Sequence, residues 1–300
     1  MFLHFYILKF YWEMGKSKTR NGQMSKNNGV KQVSLYLICI IISIFVCIPF
    51  LWMLFTSFKT DQEIYKFPIT YLPGRITIVH YLNIFINGNL PLYLRNSLIV
   101  SIGAVILTLI LAIFPAYAFA RLRFRLKKYL LPTVIFCMVL PQIVLVIPFL
   151  QLLKSIKLTD TLIGLILVYL VVTTPASIWF LISFFDKIPK SLEQAAMIDG
   201  CNSVQTLFRV IVPIMKPGIA AVCIYSFFLA WNEFIFALSY LNSSNRLTLP
   251  IFLARFVGQY QTRWGDLFAG SVVAYVIPLI AFAVLQQQFI SALVKGAVKE

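Results

Sequence analysis

The sequence predicts an all-α, polytopic membrane protein with six transmembrane helices. Hydrophobic residues make up 60% of the 300 residues and charged residues only 12%, and the mean hydropathy is +0.86, outside the usual range of soluble domains. The few charges leave long uncharged windows, each able to cross a ~30 Å hydrocarbon core as a helix of about 20 residues. The short segments of alternating polarity that a membrane barrel would need are absent.

Six spans are predicted in order along the chain. They cover residues 33–56, 96–119, 130–153, 161–184, 217–241 and 268–290. Between the first two spans, residues 79–85 predict a short surface helix, and residues 250–259 predict an amphipathic piece before the sixth. Prolines inside the spans either kink the helix to let a path open or are ordinary prolines of a membrane bundle. They include Pro115, Pro141, Pro148, Pro175 and Pro278.

The distribution of Lys and Arg predicts that both termini are cytoplasmic. With the N-terminus inside, 17 of the 26 basic residues fall in cytoplasmic segments and 9 in longer outer segments. The run at 121–128, RLRFRLKK, carries five positive charges and no acid. The net charge of +16 follows from this asymmetry and from attraction to anionic lipid, so no nucleic-acid partner is expected.

The chain divides into a tail and a membrane domain. Residues 1–32 are predicted to be a flexible, basic, cytoplasmic tail, and Met1, Met14 and Met24 are alternative starts. Its apolar beginning lacks the basic region and cleavage site of a signal peptide. Residues 33–300 form the six-helix domain.

No constellation for catalysis or metal binding is visible. The five cysteines form no CxxC pair, and the two histidines are isolated, so neither a disulfide framework nor a metal site is expected. Gly15-Lys16-Ser17 lacks the first glycine of a phosphate loop. We therefore expect no enzyme activity, no catalytic residue and no cofactor bound by this chain.

A polar segment, residues 186–217, separates the fourth and fifth spans and carries signals for two short helices. Ser191 with Gln194 predicts a capping box for the first helix, and Asn202 with Gln205 predicts another for the second. By the orientation above, this segment lies in the cytoplasm.

The first of these helices has a face suited to close contact. Gly200 is placed to end that helix in the left-handed conformation. Leu192, Ala195, Ala196 and Asp199 share one face by helical spacing. The second helix carries Val204, Leu207, Phe208 and Ile211 before Pro213 and Pro217, which we expect to stop it. The segment either docks into a protein groove or lies on lipid as an amphipathic connector; small residues and acids favour the groove.

The residues from Glu193 to Pro217 resemble the EAA loop of membrane subunits of ATP-binding-cassette importers, a loop that docks into the ATPase subunit. The matching positions are Gln194, Ala195, Ala196, Gly200, Val210, Val212 and Pro213. Gln194 stands where the family usually has Glu, and Val212 replaces Leu. Glu193 can supply the missing carboxylate, so either Glu193 or Gln194 makes the acidic contact, and Asp199 belongs to the same coupling surface.

Further stretches resemble the MalG-like permeases of carbohydrate importers, so that the resemblance covers nearly the whole chain after residue 33. They are PFLWMLFTSFK (49–59), LRNSLIV (94–100), AYAFARLRF (116–124), WNEF (231–234) and GAVK (296–299). The resemblance implies the membrane-domain fold of type I importers and a multi-pass location in the cell (plasma or inner) membrane. It implies a permease subunit that forms half of a sugar pathway; a non-sugar solute such as glycerol phosphate is an alternative.

The same resemblance implies a set of partners. They are a second homologous permease subunit in a heterodimer, a cytoplasmic ATPase dimer that holds ATP and Mg, an extracellular solute-binding protein, the sugar and membrane lipid. ATP hydrolysis would belong to the partner chain, and the EAA loop would pass its motion to the membrane helices.

Trp231, Asn232 and Glu233 are the candidates for the substrate pathway. Glu233 is an ionisable residue well inside a span, where it should face the bundle interior, a partner or water. An indole, an amide and a carboxylate within one turn suit a sugar. The alternative is structural, with Asn232 and Glu233 bonded to a neighbouring helix.

Two alternative functions, and two alternative roles for the last outer loop, are compatible with the sequence. A stand-alone secondary transporter would need inverted repeats or a chain of coupling carboxylates, and a membrane enzyme would need paired acid–base groups. Four residues of the last outer loop either face a solute-binding protein or anchor the loop at the interface. They are Tyr260, Arg263, Trp264 and Asp266.

Overall fold

A computed structural model describes the backbone of residues 26–297 and the side chains of residues 33–286. No strand occurs within that part of the chain. The helices are α1 Lys26–Ser57, α2 Asp61–Ile64, α3 Val79–Leu82, α4 Leu90–Arg121, α5 Lys127–Val139, α6 Gln142–Ser155, α7 Leu162–Phe185, α8 Lys190–Ile198, α9 Ser203–Thr206, α10 Val212–Ile214, α11 Lys216–Asn232, α12 Ile235–Tyr240, α13 Leu249–Ala254 and α14 Trp264–Ala297. Two π-turns continue α3 and α9, Asn83–Asn87 and Leu207–Ile211.

The predicted all-α membrane fold is confirmed. Within the described residues, four helices are long and apolar enough to cross a membrane: residues 33–57 of α1, all of α4 and α7, and residues 264–286 of α14. Two bent pairs meet the same criterion together, α5 with α6 at 103° and residues 203–214 with α11 at 79°. The number of spans therefore reaches six if each bent pair counts as one. The side of the membrane that each end faces stays a prediction.

The division into a tail, residues 1–32, and a membrane domain stays a prediction. Helix α1 already begins at Lys26, so residues 26–32 are helical and continue into the first span. The alternative starts at Met1, Met14 and Met24 lie outside the described residues, as does part of the 296–299 stretch.

The third predicted span, 130–153, is not one straight helix. Helix α5 ends at Val139, and Leu140 is extended, with φ −62° and ψ 127°. The residue before a proline is disfavoured in helical conformation because the proline ring clashes with it, and Pro141 follows. The chain turns there before α6 begins, whereas the other predicted proline positions stay inside their helices.

The described residues of 84–262 and 273–297 form one compact unit, in which α4, α7 and α11 pack together. Hydroxyl groups join these helices: Thr108 Oγ1 lies 2.6 Å from Thr173 Oγ1, and Ser177 Oγ lies 3.3 Å from Ser226 Oγ. Alanines line the same faces of α4. Because lipid gives no hydrophobic drive between apolar helices, small and hydroxyl side chains at close contacts are the usual stabilising elements.

Asp160 joins two loops at one end of this unit. Its carboxylate accepts hydrogen bonds from the backbone N–H groups of Asn242 (2.9 Å) and Ser243 (3.1 Å), and from the Ser243 hydroxyl. Arg246 donates to the same residue. Burial alone would raise the pKa of Asp160, but the hydrogen bonds from Ser243 and Asn242 and the charge of Arg246 together hold it below its ordinary value.

A second compact unit contains the described residues up to Asn83 together with 263–272. His80 lies buried between Asp266 (Nδ1 to Oδ1, 3.1 Å) and the carbonyl of Lys59 (Nε2 to O, 2.9 Å). The Lys59 ammonium donates to the Thr70 carbonyl and lies over the Trp52 ring. Burial lowers the pKa of Lys59, partly opposed by Glu63.

These contacts change two expectations. The helix predicted at 79–85 exists as α3 and its π-turn, but it is not wholly at the surface, since His80 and Ile84 are buried. Asp266 does not project outward: it is buried and pairs with His80 and Arg263. Tyr260 is 95% exposed and stays available to a partner.

Candidate functional site

The first helix of the polar segment begins two residues earlier than predicted. Pro189 occupies the position before α8, with φ −59° and ψ 132°, and no side chain caps the helix. The capping box predicted for Ser191 and Gln194 is therefore wrong. Proline is tolerated at a helix start because it has no N–H to satisfy. Since α8 begins at Lys190, Ser191 and Gln194 lie inside its first turns.

Gly200 ends α8 as predicted. Its φ is +87°, in the left-handed region that favours glycine. The Gly200 N–H donates to the Met197 carbonyl (3.1 Å) and the Cys201 N–H to the Ala196 carbonyl (2.9 Å), the pair of bonds that defines a Schellman motif. These two bonds satisfy carbonyls at the helix end and set the direction in which the chain leaves α8.

The second helix starts as predicted and ends later. Asn202 and Gln205 form a reciprocal capping box, with Gln205 N to Asn202 Oδ1 at 2.8 Å and Asn202 N to Gln205 Oε1 at 2.9 Å. Pro213 does not stop the helix. The π-turn at 207–211 precedes it, where the Val212 N–H reaches back to the Leu207 carbonyl, and the bend comes at Met215.

The surface of α8 divides differently from the prediction. Glu193 and Ala196 face the chain's own interior, at 7% and 6% exposed, so Ala196 does not belong to an open docking face. The exposed side chains of α8 and the residue after it include Leu192, Gln194, Ala195, Met197, Ile198 and Asp199. Of the other matched positions, Val210 and Val212 pack against the core, while Pro213 is exposed.

Arg121 explains why Glu193 turns inward. This last residue of α4 donates from Nε to Glu193 Oε1, and from Nη2 to the carbonyls of Phe185 and Ile188, each at 2.8 Å. Tyr117 donates to the other carboxylate oxygen of Glu193 at 3.4 Å. The two charged side chains are 6% and 9% exposed. The carboxylate of Glu193 is thus bound within the chain, and the exposed Gln194 is left facing outward.

Sequence reasoning missed Arg121, because it read the run at 121–128 only as an orientation signal. Arg121 is the first arginine of that run and follows directly on an apolar span. Its side chain is buried, whereas the next two arginines, Arg123 and Arg125, are exposed. A buried arginine needs a partner, but 72 residues separate it from Glu193, and no local pattern connects the two.

The second candidate site lies at a break in the fifth predicted span. Helix α11 ends at Asn232, Glu233 is extended with φ −68° and ψ 131°, and α12 begins at Ile235. Glu233 Oε1 accepts from the Phe236 N–H at 2.7 Å, and Oε2 accepts from the Ala237 N–H at 3.1 Å and from the Tyr169 hydroxyl at 2.6 Å. A carboxylate that receives the first amides of a helix stabilises that helix start.

The three pathway candidates do not converge on one site. The Trp231 indole donates to the Ala274 carbonyl at 3.2 Å and stacks on Phe227, whereas the exposed Asn232 donates to the Phe228 carbonyl within its own helix at 2.8 Å. The cavity beside Glu233 has a volume of only about 10 Å³. That is room for at most one water, so a sugar does not fit there in this conformation.

Comparison with known proteins decides the family. Residues 104–297 match the model of the binding-protein-dependent transport system inner membrane component. The chain belongs to this family. It is a multi-pass membrane subunit of a transport system and not an enzyme.

Two curated relatives and one solved structure agree with this assignment. The sulfoquinovosyl glycerol transport system permease protein SmoH of Agrobacterium fabrum is 35% identical over 84% of this chain and 88% of its own length. The trehalose/maltose transport system permease protein MalG of Thermococcus litoralis is 32% identical over 90% and 98%. A bacterial ABC transporter involved in the import of alginate matches with a TM-score of 0.75 at 19% identity, over 90% of this chain and 100% of that one, which supports the type I fold.

Proposed function

We propose that this chain is a permease subunit of an ATP-driven sugar importer, in which it forms half of the translocation pathway. The observation that carries the proposal is the family match over residues 104–297, which includes the polar segment and both candidate sites. The inference that the substrate is a sugar rests on the names of the relatives, which refer to sulfoquinovosyl glycerol, to trehalose and maltose, and to diacetylchitobiose. These are glycosides, so a glycoside is the substrate class that we infer.

The polar segment is the surface proposed to meet the ATPase. Its first helix presents Gln194, Ala195 and Ile198 outward, and Ile198 is 86% exposed. Such an apolar side chain outside the spans gains from burial in a partner's groove. The Schellman motif and the capping box fix both sides of the turn between α8 and α9, so the surface is presented in a defined shape.

The proposed assembly contains the partners that this arrangement needs. A second homologous permease subunit completes the pathway as a heterodimer, an ATPase dimer binds the polar segments and holds ATP and Mg, and an extracellular solute-binding protein delivers the sugar. The exposed Tyr260 belongs to the loop proposed to face that binding protein.

Uptake by the reconstituted complex tests this function. Proteoliposomes that contain both permease subunits and the ATPase should accumulate a radiolabelled glycoside from a panel of maltose, trehalose and diacetylchitobiose, only with ATP inside and binding protein outside. Accumulation of glycerol 3-phosphate instead would move the substrate outside the sugars. Accumulation by this chain alone without ATP would contradict an ATP-driven importer.

A further inference from the structure

Arg121 connects three parts of the larger unit through one buried guanidinium. It is the last residue of α4, and its hydrogen bonds reach the end of α7 (Phe185), the link to α8 (Ile188) and α8 itself (Glu193). The donors form a fixed planar fork, so the positions of all three acceptors are set relative to α4. A lysine ammonium, which donates from a single point, cannot make the same set of contacts.

The Arg121–Glu193 pair is a direct polar link between α8 and the membrane helix α4. Both side chains are more than nine-tenths buried, so separating them would leave an unpaired charge away from water. The pair is further enclosed by Tyr117, whose ring packs on Phe185 with centroids 5.6 Å apart. Such a contact resists separation much more strongly than an exposed salt bridge.

Helix α4 has the length to carry a displacement away from α8. Its 32 residues extend over roughly 48 Å at 1.5 Å per residue. It packs along α7 and α11 through close contacts. A shift imposed at Arg121 therefore acts on one continuous helix, whose other end is Leu90.

We propose that Arg121 is a positioning residue for transport: through Glu193 it fastens α8 to α4, so that movement of α8 by a bound ATPase is passed directly to α4. This inference rests on the proposed function, because it assumes that the ATPase binds the polar segment. It also assigns Glu193 a role within the chain and leaves the outward contact to Gln194 and its exposed neighbours.

Spin–spin distances in the assembled complex test the proposal. Labels on genetically encoded amino acids at Ser191 of α8 and Leu111 of α4, both exposed, leave the five native cysteines in place. In the otherwise unchanged chain, the separation should be the same before and after ATP and vanadate trap the ATPase. In Glu193→Gln and Arg121→Lys, trapping should shift the separation by on the order of 2–5 Å, because α8 moves while α4 lags.

The controls separate this inference from its alternatives. Arg123→Lys, an exposed arginine of the same run, should behave like the unchanged chain. Tyr117→Phe removes only one hydrogen bond to Glu193 and should shift the separation less, in the same direction. If Glu193→Gln and Arg121→Lys fail to assemble, Tyr117→Phe is the variant that tests the proposal. A general loss of packing would alter the distance equally with and without ATP.

Three results would overturn the proposal. An ATP-dependent change in the unchanged chain would mean that α8 moves independently of α4. Variants that match the unchanged chain would remove Arg121 from the transmission. Release of the ATPase by Glu193→Gln would make Glu193 a direct contact. If the unchanged chain itself binds no ATPase in a pull-down, it is the proposed function that fails.

Discussion

Both oxygens of the Glu233 carboxylate accept hydrogen bonds, from Phe236 and Ala237 of α12 and from Tyr169 of α7. A buried acid in this setting holds a helix start and a helix–helix contact together. The structure thus favours the structural alternative for Glu233 over direct contact with a sugar, in the conformation that it describes.

Glu233→Gln should therefore destabilise the protein. The amide keeps one acceptor but turns an NH₂ donor toward groups that also donate, at a cost of about 1–3 kcal/mol. Thermal unfolding in detergent measures the effect, and Asn232→Ala, an exposed neighbour, should cost less than about 0.5 kcal/mol. Unchanged stability together with reduced sugar uptake would place Glu233 in the pathway instead.

At Asp160, we expect the stability of the fold to depend on pH. Its folded pKa is lower than the unfolded value of about 3.9, so the ionised form stabilises the fold above that pH. This contribution is lost as the pH falls through the folded pKa. Asp160→Asn should be less stable than the unchanged chain at pH 7 by about 1–2 kcal/mol, and the difference should shrink below pH ~4. Melting curves at pH 7 and in acid measure it; a gap that stays constant would contradict this role.

At the scale of elements, the turn between α8 and α9 depends on Gly200. A β-carbon there meets nothing within 4 Å, so the cost of a substitution comes from the backbone alone. Gly200→Ala should cost about 1–2 kcal/mol, and Gly200→Asn less, since asparagine tolerates the left-handed region. Hydrogen exchange of the amides at 197–202 should accelerate roughly 5- to 30-fold in the alanine variant. Equal exchange in the alanine and asparagine variants would show that the left-handed conformation does not matter.

Local signals in the sequence located some elements and failed at others for physical reasons. The Asn202 box and the Gly200 end involve residues within a few positions of one another, and both were predictable. The start of α8 was misread because Pro189 can begin a helix without a side-chain cap. The break at Glu233 was missed because the apolar composition continues across it. The Arg121–Glu193 pair arises only when distant helix ends meet.

At the scale of the whole molecule, the orientation predicted from the basic residues is open to a direct test. Tyr260→Cys should react with a membrane-impermeant maleimide in intact cells, and Ser191→Cys should react only in inverted vesicles, because the polar segment is predicted to be cytoplasmic. Both positions are exposed. The parent chain with its own cysteines gives the background. Labelling of Ser191→Cys from outside would reverse the topology and remove an ATPase from reach of the segment.

The central claim is that the exposed face of α8 binds an ATPase. Affinity purification of the complex with Ile198→Asp tests it most directly. The matched control is Ile86→Asp, at an exposed isoleucine (72%) of the π-turn after α3. We expect Ile198→Asp to lower the recovered ATPase at least tenfold at unchanged permease abundance, since a buried unpaired charge costs several kcal/mol, and Ile86→Asp to retain it. Full recovery of the ATPase with Ile198→Asp would contradict the account.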